Sequence, residues 1–340
     1  MKFDYIIGNP PYQDESNGNK TFAPPQYHLF MDSAYAIAEK VELITPARFL
    51  FNAGSTPKSW NQKMLNDEHL KVESYEPDAF KVFPDTDIKG GVAITYRDDT
   101  KNFGAIGIFT AYEKLNSLLR KIHKTENKLN LSKIVTNRGI YRFSDKIYKE
   151  NPHEMERITD SRILSNAFDR FPEFFFPEKP NDNHSYVRIF GKSSGKRVYR
   201  WLRKDYLAET ENLDKYKVLV PKANGSGTFG EVLSSPLVCE KGTGFTETFI
   251  AIGAVNTYDE AESILKYIKT KFARTMLDVL KITQDNTRPT WRLVPLQNFT
   301  NESDIDWSKS IPEIDQQLYR KYGLENDEIE FIESHVKEMN

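Results

Sequence analysis

Residues 3–12 read Phe3-Asp4-Tyr5-Ile6-Ile7-Gly8-Asn9-Pro10-Pro11-Tyr12. The run Phe3–Ile7 is apolar and β-branched enough for a strand buried on both faces. Pro10 and Pro11 end it, because each removes a backbone donor and fixes φ, which leaves a stiff turn. Open α/β sheets place their ligands at the carboxyl ends of strands. This turn offers an amide (Asn9), a backbone carbonyl (Pro10) and an aromatic face (Tyr12). The set suits a planar group with an exocyclic NH2. The Asn9 side-chain oxygen and the Pro10 carbonyl can each accept one amino hydrogen, and Tyr12 can stack on the ring. Two acceptors around one nitrogen draw its lone pair out of conjugation and make it a better nucleophile.

Working outward, residues 13–25 are a polar loop able to close over a bound ring. Residues 26–40 carry apolar positions at helical spacing, and Val41–Phe51 reads as a strand. Together with Phe3–Ile7 this is a β–α–β crossover of the doubly wound type. A helix over 58–70, strands at Lys71–Tyr75 and Gly91–Tyr96, a further strand at Ala105–Phe109 and a helix over 112–131 follow. Half of a twisted sheet has an exposed edge strand and an uncovered face. From about 134 onward, short Tyr-, Phe- and Arg-containing segments alternate with Gly, Asn and Pro, which predicts a mixed, β-rich domain. Thr257 to Glu260 is a capping box that opens a helix to about Lys281. Its apolar face is Ile264, Leu265, Ile268, Phe272, Met276 and Leu277. From Ser308 the sequence predicts two short helices, the first starting at Ser310 and Pro312 and stopping at Gly323.

The strand and turn resemble the catalytic motif of the DNA adenine-N6 methyltransferases of restriction–modification systems, in the Eco57I-like, Asn-Pro-Pro-Tyr class. Val41–Leu50 is similar to that family's next core strand and its exit loop. Val82–Val92 is similar to the later motif whose aromatic, here Phe83, stacks on the other face of the base. The half from about Ile134 looks like the family's recognition domain, with Thr287–Trp291 and Asp304–Trp307 as part of the likeness. The resemblance implies Asn9, Pro10, Pro11, Tyr12 and Phe83 as catalytic residues, S-adenosyl-L-methionine (AdoMet) as cofactor with Asn9 beside it, and a flipped adenine as acceptor. In this family the Gly-rich AdoMet motif lies N-terminal to Asn-Pro-Pro-Tyr. Only eight residues precede Asn9, and neither Gly104–Gly107 nor Gly225–Gly230 follows the pattern. The expectation is therefore the C-terminal part of a methyltransferase, from a truncated gene or a split enzyme, with a partner chain supplying the AdoMet half.

The expected fold class is α/β. The second half of a doubly wound, Rossmann-like methyltransferase sheet (residues 1–130) leads into a mixed α+β target-recognition domain (131–305) and an acidic helical tail (306–340). A length of 340 residues suits two domains, and 39% hydrophobic with 13% aromatic content suffices for real cores. A net charge of −2 confines any surface for double-stranded DNA to a local patch. One Cys (Cys239) excludes a disulfide framework and a Cys-based zinc site and fits a reducing cytoplasm. The six His residues show no metalloenzyme spacing, so no metal is expected. No apolar run reaches the roughly 18 residues of a membrane span.

The local patch expected for DNA is residues 186–204, with Arg188, Lys192, Lys196, Arg197, Arg200, Arg203 and Lys204, interleaved with Tyr199 and Trp201 and free of acidic residues. Cations mixed with aromatics suit phosphate contact plus stacking. Lys222 in Pro221–Gly227 and Arg288 in Gln284–Arg288 mark two further candidate loops. Two alternatives share these features. One is a catalytically inactive, sequence-specific DNA-binding module. The other is a methyltransferase of a different planar amine or amide, such as RNA adenine or a protein Gln side chain. A nuclease site of the Asp…Glu-x-Lys type is not evident.

Overall fold

The structure is a computed structural model that describes residues 3–13, 23–84, 86, 88, 90–124, 129–158, 160–225, 227–281 and 283–339. The chain divides into two compact units, Met1–Arg120 and Lys121–Asn340.

In the first unit Phe3–Gly8 forms β1, Tyr27–Ile37 forms α1 and Ala38–Pro46 forms β2. β1 and β2 run parallel, with Ile6 opposite Val41 and Gly8 opposite Leu43, so the expected β–α–β crossover is present. Pro46 then ends β2, and Ala47–Phe51 turns as a 3-10 helix rather than prolonging the strand. Lys58–Leu65 forms α2, Leu70–Glu76 forms β3 and Val92–Asp98 forms β4. The sheet order is β1-β2-β4-β3, and β4 runs antiparallel to both of its neighbours.

Alternation along the strands sorts the sheet into two faces. Ile6, Val41, Leu43, Leu70 and Ala93 share one face and pack with Met31 and Ala34 of α1 and with Trp60, Met64 and Leu65 of α2. Tyr5, Glu42 and Tyr96 lie on the other. There the Tyr5 hydroxyl donates to Glu42 at 2.5 Å, and the Tyr5 and Tyr96 rings lie 6.3 Å apart. A doubly wound sheet carries helices on both faces, whereas α1 and α2 share one core on one face.

The expectation that Phe3–Ile7 is buried on both faces is overturned. Among the described residues β1 pairs with β2 alone, and α1 covers only its Ile6 side; Phe3 is 56% and Ile7 73% exposed. The edge strand is therefore open. The expected strand at Ala105–Phe109 is not one either. Gly104 and Gly107 take φ of +78° and +64°, and Phe103 and Gly107 donate their amides to the Glu68 and Leu65 carbonyls beside α2. Glu113–Lys124 forms α3, shorter than expected at both ends, with residues 125–128 outside the described chain.

Among its described residues the second unit holds the short helices Asp145–Glu150 (α4), Pro152–Met155 (α5) and Ala167–Arg170 (α6). Two three-stranded sheets accompany them. Tyr186–Ser193 (β5) and Lys196–Arg203 (β6) form a hairpin. Tyr216–Pro221 (β7), Leu237–Cys239 (β8), Thr243–Phe245 (β9) and Phe249–Val255 (β10) complete sheets of order β6-β5-β9 and β10-β7-β8. Both sheets contribute to one aromatic-rich core with Tyr141, Phe143, Phe168, Phe171 and Phe175.

The predicted capping box is present at Thr257 and Glu260, but the helix it opens is broken. Tyr258–Lys269 (α7) stops at Thr270, and Lys271–Asp278 (α8) restarts behind it. Thr270 donates its hydroxyl to the Tyr267 carbonyl and accepts from the Ala273 amide, while Asp315 accepts from the Lys271 and Phe272 amides. Those bonds cap a new helix inside an unbroken apolar pattern. The expected core positions Ile264, Ile268, Phe272, Met276 and Leu277 are buried, and Leu265 is half-buried. Ile311–Lys321 (α9) begins at the Ser310–Glu313 capping box and ends at Gly323, whose φ is +61°. Asn326–His335 (α10) follows.

Candidate active site and nucleic-acid interface

The turn after β1 and the 3-10 turn after β2 follow parallel strands, so they emerge at the same end of the sheet. Between them lies a cleft of about 830 Å³. Asn9, Pro10, Pro11 and Tyr12 form one side, and Tyr27, Pro46, Arg48, Gly54, Ser55, Thr86 and Ile88 also line it. The four residues of the expected turn thus open onto one cavity at the carboxyl end of β1. Asn9 is exposed, leaving its amide available. The chain leaves the turn through a short bridge, with Gln13 opposite Pro25 and the Gln26 amide donating to the Tyr12 carbonyl at 3.1 Å. Residues 14–22, including Asp14 and Glu15 and most of the expected closing loop, lie outside the described residues.

Phe83, expected opposite Tyr12, does meet it. The ring centroids are 6.1 Å apart and the planes stand at 75°. The Phe83 amide donates to the Ala79 carbonyl at 2.8 Å, which ends a short 3-10 turn over Ala79–Lys81. The Tyr12 hydroxyl is buried without a hydrogen-bond partner among the described residues. Burial pushes its pKa up to about 12, so the phenol is neutral at physiological pH. Tyr27, buried behind the turn, likewise has a raised pKa from burial, opposed by a hydrogen bond with Thr56 and by the Arg48 charge. Sequence reasoning missed Arg48, although it stands inside the similar Val41–Leu50 segment.

The basic candidates of the second unit fall on the β5–β6 hairpin, whose tip is Ser194 and Gly195 at φ of +48° and +78°. Lys192 and Lys196 flank the tip and are exposed. Register places Arg188, Lys192, Arg197, Tyr199, Trp201 and Arg203 on one face, whereas Lys196 and Arg200 lie on the face of Ile189 and Leu202. On the first face cations and rings alternate. Arg188 lies 5.1 Å over Tyr199, Arg197 5.5 Å over Phe249 and Lys179 5.9 Å over Trp201.

Several of these charges are already engaged. Arg203 binds Asp205 at 3.0 and 2.7 Å and Glu150 at 3.0 Å, with its side chain only 14% exposed. Arg197 donates to the Ser234 and Ser235 carbonyls. Arg188 pairs with Glu240, and Arg200 donates to the Tyr199 carbonyl. Trp201 exchanges backbone hydrogen bonds with Phe176. Arg203 thus acts as an internal strut, and Lys192 and Lys196 are the charges best placed for phosphate.

The other two candidate loops come together. Ala223 bridges Asp285, the Asn224 amide donates to the Gln284 carbonyl at 2.8 Å, and the Asn286 amide donates to the Lys222 carbonyl at 2.7 Å. Arg288 donates to the Ser132 carbonyl. Lys222 shares the nearly buried Glu247 with two cations not anticipated from sequence, Arg138 and Arg162, at 3.4–3.5 Å. The dipeptide Arg138-Gly139 was the signal available for Arg138, and nothing in the local sequence marked Arg162.

Residues 1–83 match the family model described as the Eco57I restriction-modification methylase. An uncharacterized adenine-specific methylase from Mycoplasma pneumoniae is 33% identical over 96 residues, which span 27% of this chain and 22% of that protein. The resemblance to an Eco57I-type, adenine-specific modification methylase therefore holds for the segment that builds the turn and the cleft. The chain spans about a fifth of that curated relative. Two solved structures are fainter likenesses. The type IIG restriction endonuclease BpuSI is 10% identical at a TM-score of 0.31, covering 84% of this chain and 43% of its own. The type IIL restriction-modification enzyme MmeI in complex with DNA is 9% identical at 0.33, covering 98% and 56%.

Proposed function

We propose that the chain carries the acceptor-side catalytic turn and the recognition unit of a site-specific DNA adenine-N6 methyltransferase of a restriction–modification system. The observation that carries this reading is the Asn9–Tyr12 turn, which opens at the carboxyl end of β1 onto a cleft that Phe83 borders through Tyr12, within the stretch that matches the methylase model. The target adenine turns out of the duplex at a cost of a few kcal/mol. Asn9 and the Pro10 carbonyl accept its two amino hydrogens. Tyr12 and Phe83 hold its faces. AdoMet, when bound, supplies a sulfonium methyl for direct displacement by the amino nitrogen. The nitrogen sheds its proton after becoming cationic, so a neutral Tyr12 and a turn without a carboxylate are compatible with the step. Positioning and electrostatics supply most of the rate.

Asn9 is the residue assigned to the cofactor as well as to the base. The open edge of β1, with Phe3 and Ile7 exposed, supports a partner chain that adds a strand there and completes the AdoMet site. The second unit binds double-stranded DNA through the hairpin tip and the paired loops at Lys222 and Arg288. Such work belongs in the cytoplasm, and among the described residues no helix is long and apolar enough to cross a membrane.

The open edge also favours a second reading, a DNA-binding module that does not methylate by itself. One experiment separates the two. Labelled methyl transfer from AdoMet to genomic DNA is measured for the purified chain, with Asn9→Ala as control. Incorporation as N6-methyladenine that vanishes in the variant establishes the enzyme. DNA retention at low salt without incorporation, both for the chain alone and with a chain that supplies the AdoMet-binding half added, establishes the binding module.

A further inference from the structure

We propose that Arg48 is the phosphate clamp of the acceptor site, gripping the phosphodiester that a flipped nucleotide carries into the cleft. The proposal rests on the reading of the Asn9–Tyr12 turn as an amino-holding site.

Three observations support it. First, among the described residues that line the cleft Arg48 is the one charged side chain, and no carboxylate among the described residues pairs with it. Arg48 is exposed as a residue, and a guanidinium offers a planar fork of donors that matches phosphate oxygens.

Second, the surrounding backbone is built around its stem. Gly54 and Gly90 have φ of +85° and +88°, and a Cβ on either would stand 3.2 Å or 2.6 Å from Arg48 side-chain carbons. The two loops that carry these glycines therefore close on the aliphatic part of Arg48 and fix where the charge sits. The Gly91 carbonyl also accepts from the Ala47 amide at 3.0 Å, so the chain returning from Phe83 is docked beside Arg48.

Third, sheet order separates Arg48 from the free edge. Arg48 follows β2, which lies between β1 and β4, whereas the unpaired side of β1 faces the opposite way. An anion at Arg48 thus approaches with the acceptor rather than with a cofactor held beyond β1. A nucleotide turned out of a duplex brings its two flanking phosphates along, and a base seated on Asn9 and Tyr12 leaves them at the mouth of the same cleft.

The test compares binding of 2′-deoxyadenosine and deoxyadenosine 3′,5′-bisphosphate to the full chain by calorimetry at low ionic strength. Wild type, Arg48→Met, Arg48→Ala and Asn9→Ala are compared, with S-adenosylhomocysteine as a third ligand. Met keeps the stem between the two glycine loops and removes only the charge, so folding and charge are separated. The expected result is a bisphosphate bound about tenfold tighter than the nucleoside, an advantage lost in Arg48→Met while nucleoside binding stays unchanged. Asn9→Ala should weaken both nucleoside ligands. Equal binding of the two in wild type, unaltered by Arg48→Met, overturns the clamp and leaves the turn standing. Selective loss of S-adenosylhomocysteine in Arg48→Met assigns the guanidinium to the cofactor carboxylate and also overturns it. If neither adenine compound binds, the amino-holding reading fails and the clamp fails with it.

Discussion

Tyr12 and Phe83 touch edge to face, with centroids 6.1 Å apart and planes at 75°. A base held between two rings needs parallel faces roughly 7 Å apart, twice the carbon–carbon contact distance. The pair is therefore closed, and on the proposed function adenine would enter only when Phe83 swings parallel to Tyr12. Phe83→Ala should leave the fold intact, because Phe83 is only half-buried. It should weaken deoxyadenosine binding by about 1–3 kcal/mol, the usual worth of one stacked ring. Calorimetry beside a thermal melt checks this. Unchanged affinity would remove Phe83 from the base site.

The Tyr12 hydroxyl gives a sharper case. It is buried and has no partner among the described residues, so removing it takes away a desolvation penalty without breaking a bond to any of them. Tyr12→Phe should keep or raise stability, by up to about 1 kcal/mol. On the proposed function methyl transfer should persist, because the ring would supply the stacking. A variant as stable as wild type but inactive would show that the hydroxyl contacts substrate.

The parts of the molecule legible in sequence are those set by neighbours a few residues away. The strand into Asn9–Tyr12, the crossover to β2, the Thr257–Glu260 box and the α9 limits at Ser310 and Gly323 are all local patterns. What sequence obscured depends on distant partners. Phe3–Ile7 has the composition of a central strand, but burial depends on which strands pair with it, and among the described residues only β2 does. The apolar period runs straight through Thr270, yet Asp315 caps a new helix there from 43–44 residues away. Ile106, Ile108 and Phe109 look strand-like, but Gly104 and Gly107 turn the backbone out of register. A run of Arg and Lys shows charge and not its counter-charge, which for Arg203 is Asp205 next door and Glu150 far back in the chain.

That distinction predicts different outcomes for neighbouring cations. Lys192→Ala and Lys196→Ala should each weaken DNA binding about uniformly across sequences and lower the salt slope by about 1. Their melting temperatures should not move. Arg203→Ala should lower the melting temperature first, since it takes the guanidinium from Asp205 and Glu150 and leaves them to Lys146 and the Tyr206 hydroxyl. Filter binding across a salt series, run beside thermal melts, checks both. An Arg203→Ala protein that is fully stable yet DNA-deficient would contradict the strut assignment.

The open edge of β1 should make the isolated chain self-associate. Ile7 is 73% exposed on the side of β1 that pairs with no strand among the described residues, a template for strand addition. Ile7→Lys puts a charge on that edge and should shift sedimentation toward monomer, with stability changed by no more than about 0.5 kcal/mol. A wild-type chain that stays monomeric at high concentration would show that the edge is not adhesive.

Stability should fall as pH rises toward neutrality, because of Asp278. Its Oδ2 accepts from the Gly230 amide at 2.8 Å. Burial, the dominant influence, pushes its pKa up to about 7 against the opposing pull of Lys281 and Arg274, while Glu231 adds to the rise. Lys281 itself is bound to Glu231 at 2.8 Å, which weakens its help to Asp278. An unfolded Asp titrates near 3.9. Between about 4 and 7 the folded chain keeps a proton that the unfolded chain releases, so protonated Asp278 favours the fold at low pH. That contribution is lost as pH passes through about 7, a swing of up to roughly 4 kcal/mol. Asp315, raised to about 6 by burial, acts in the same direction. Asp278→Asn keeps an acceptor for the Gly230 amide and cannot ionise. It should therefore stabilise the protein at pH 8 and change little at pH 4.5, read by urea unfolding at both. An equal gain at both pH values would mean that Asp278 does not titrate near neutrality.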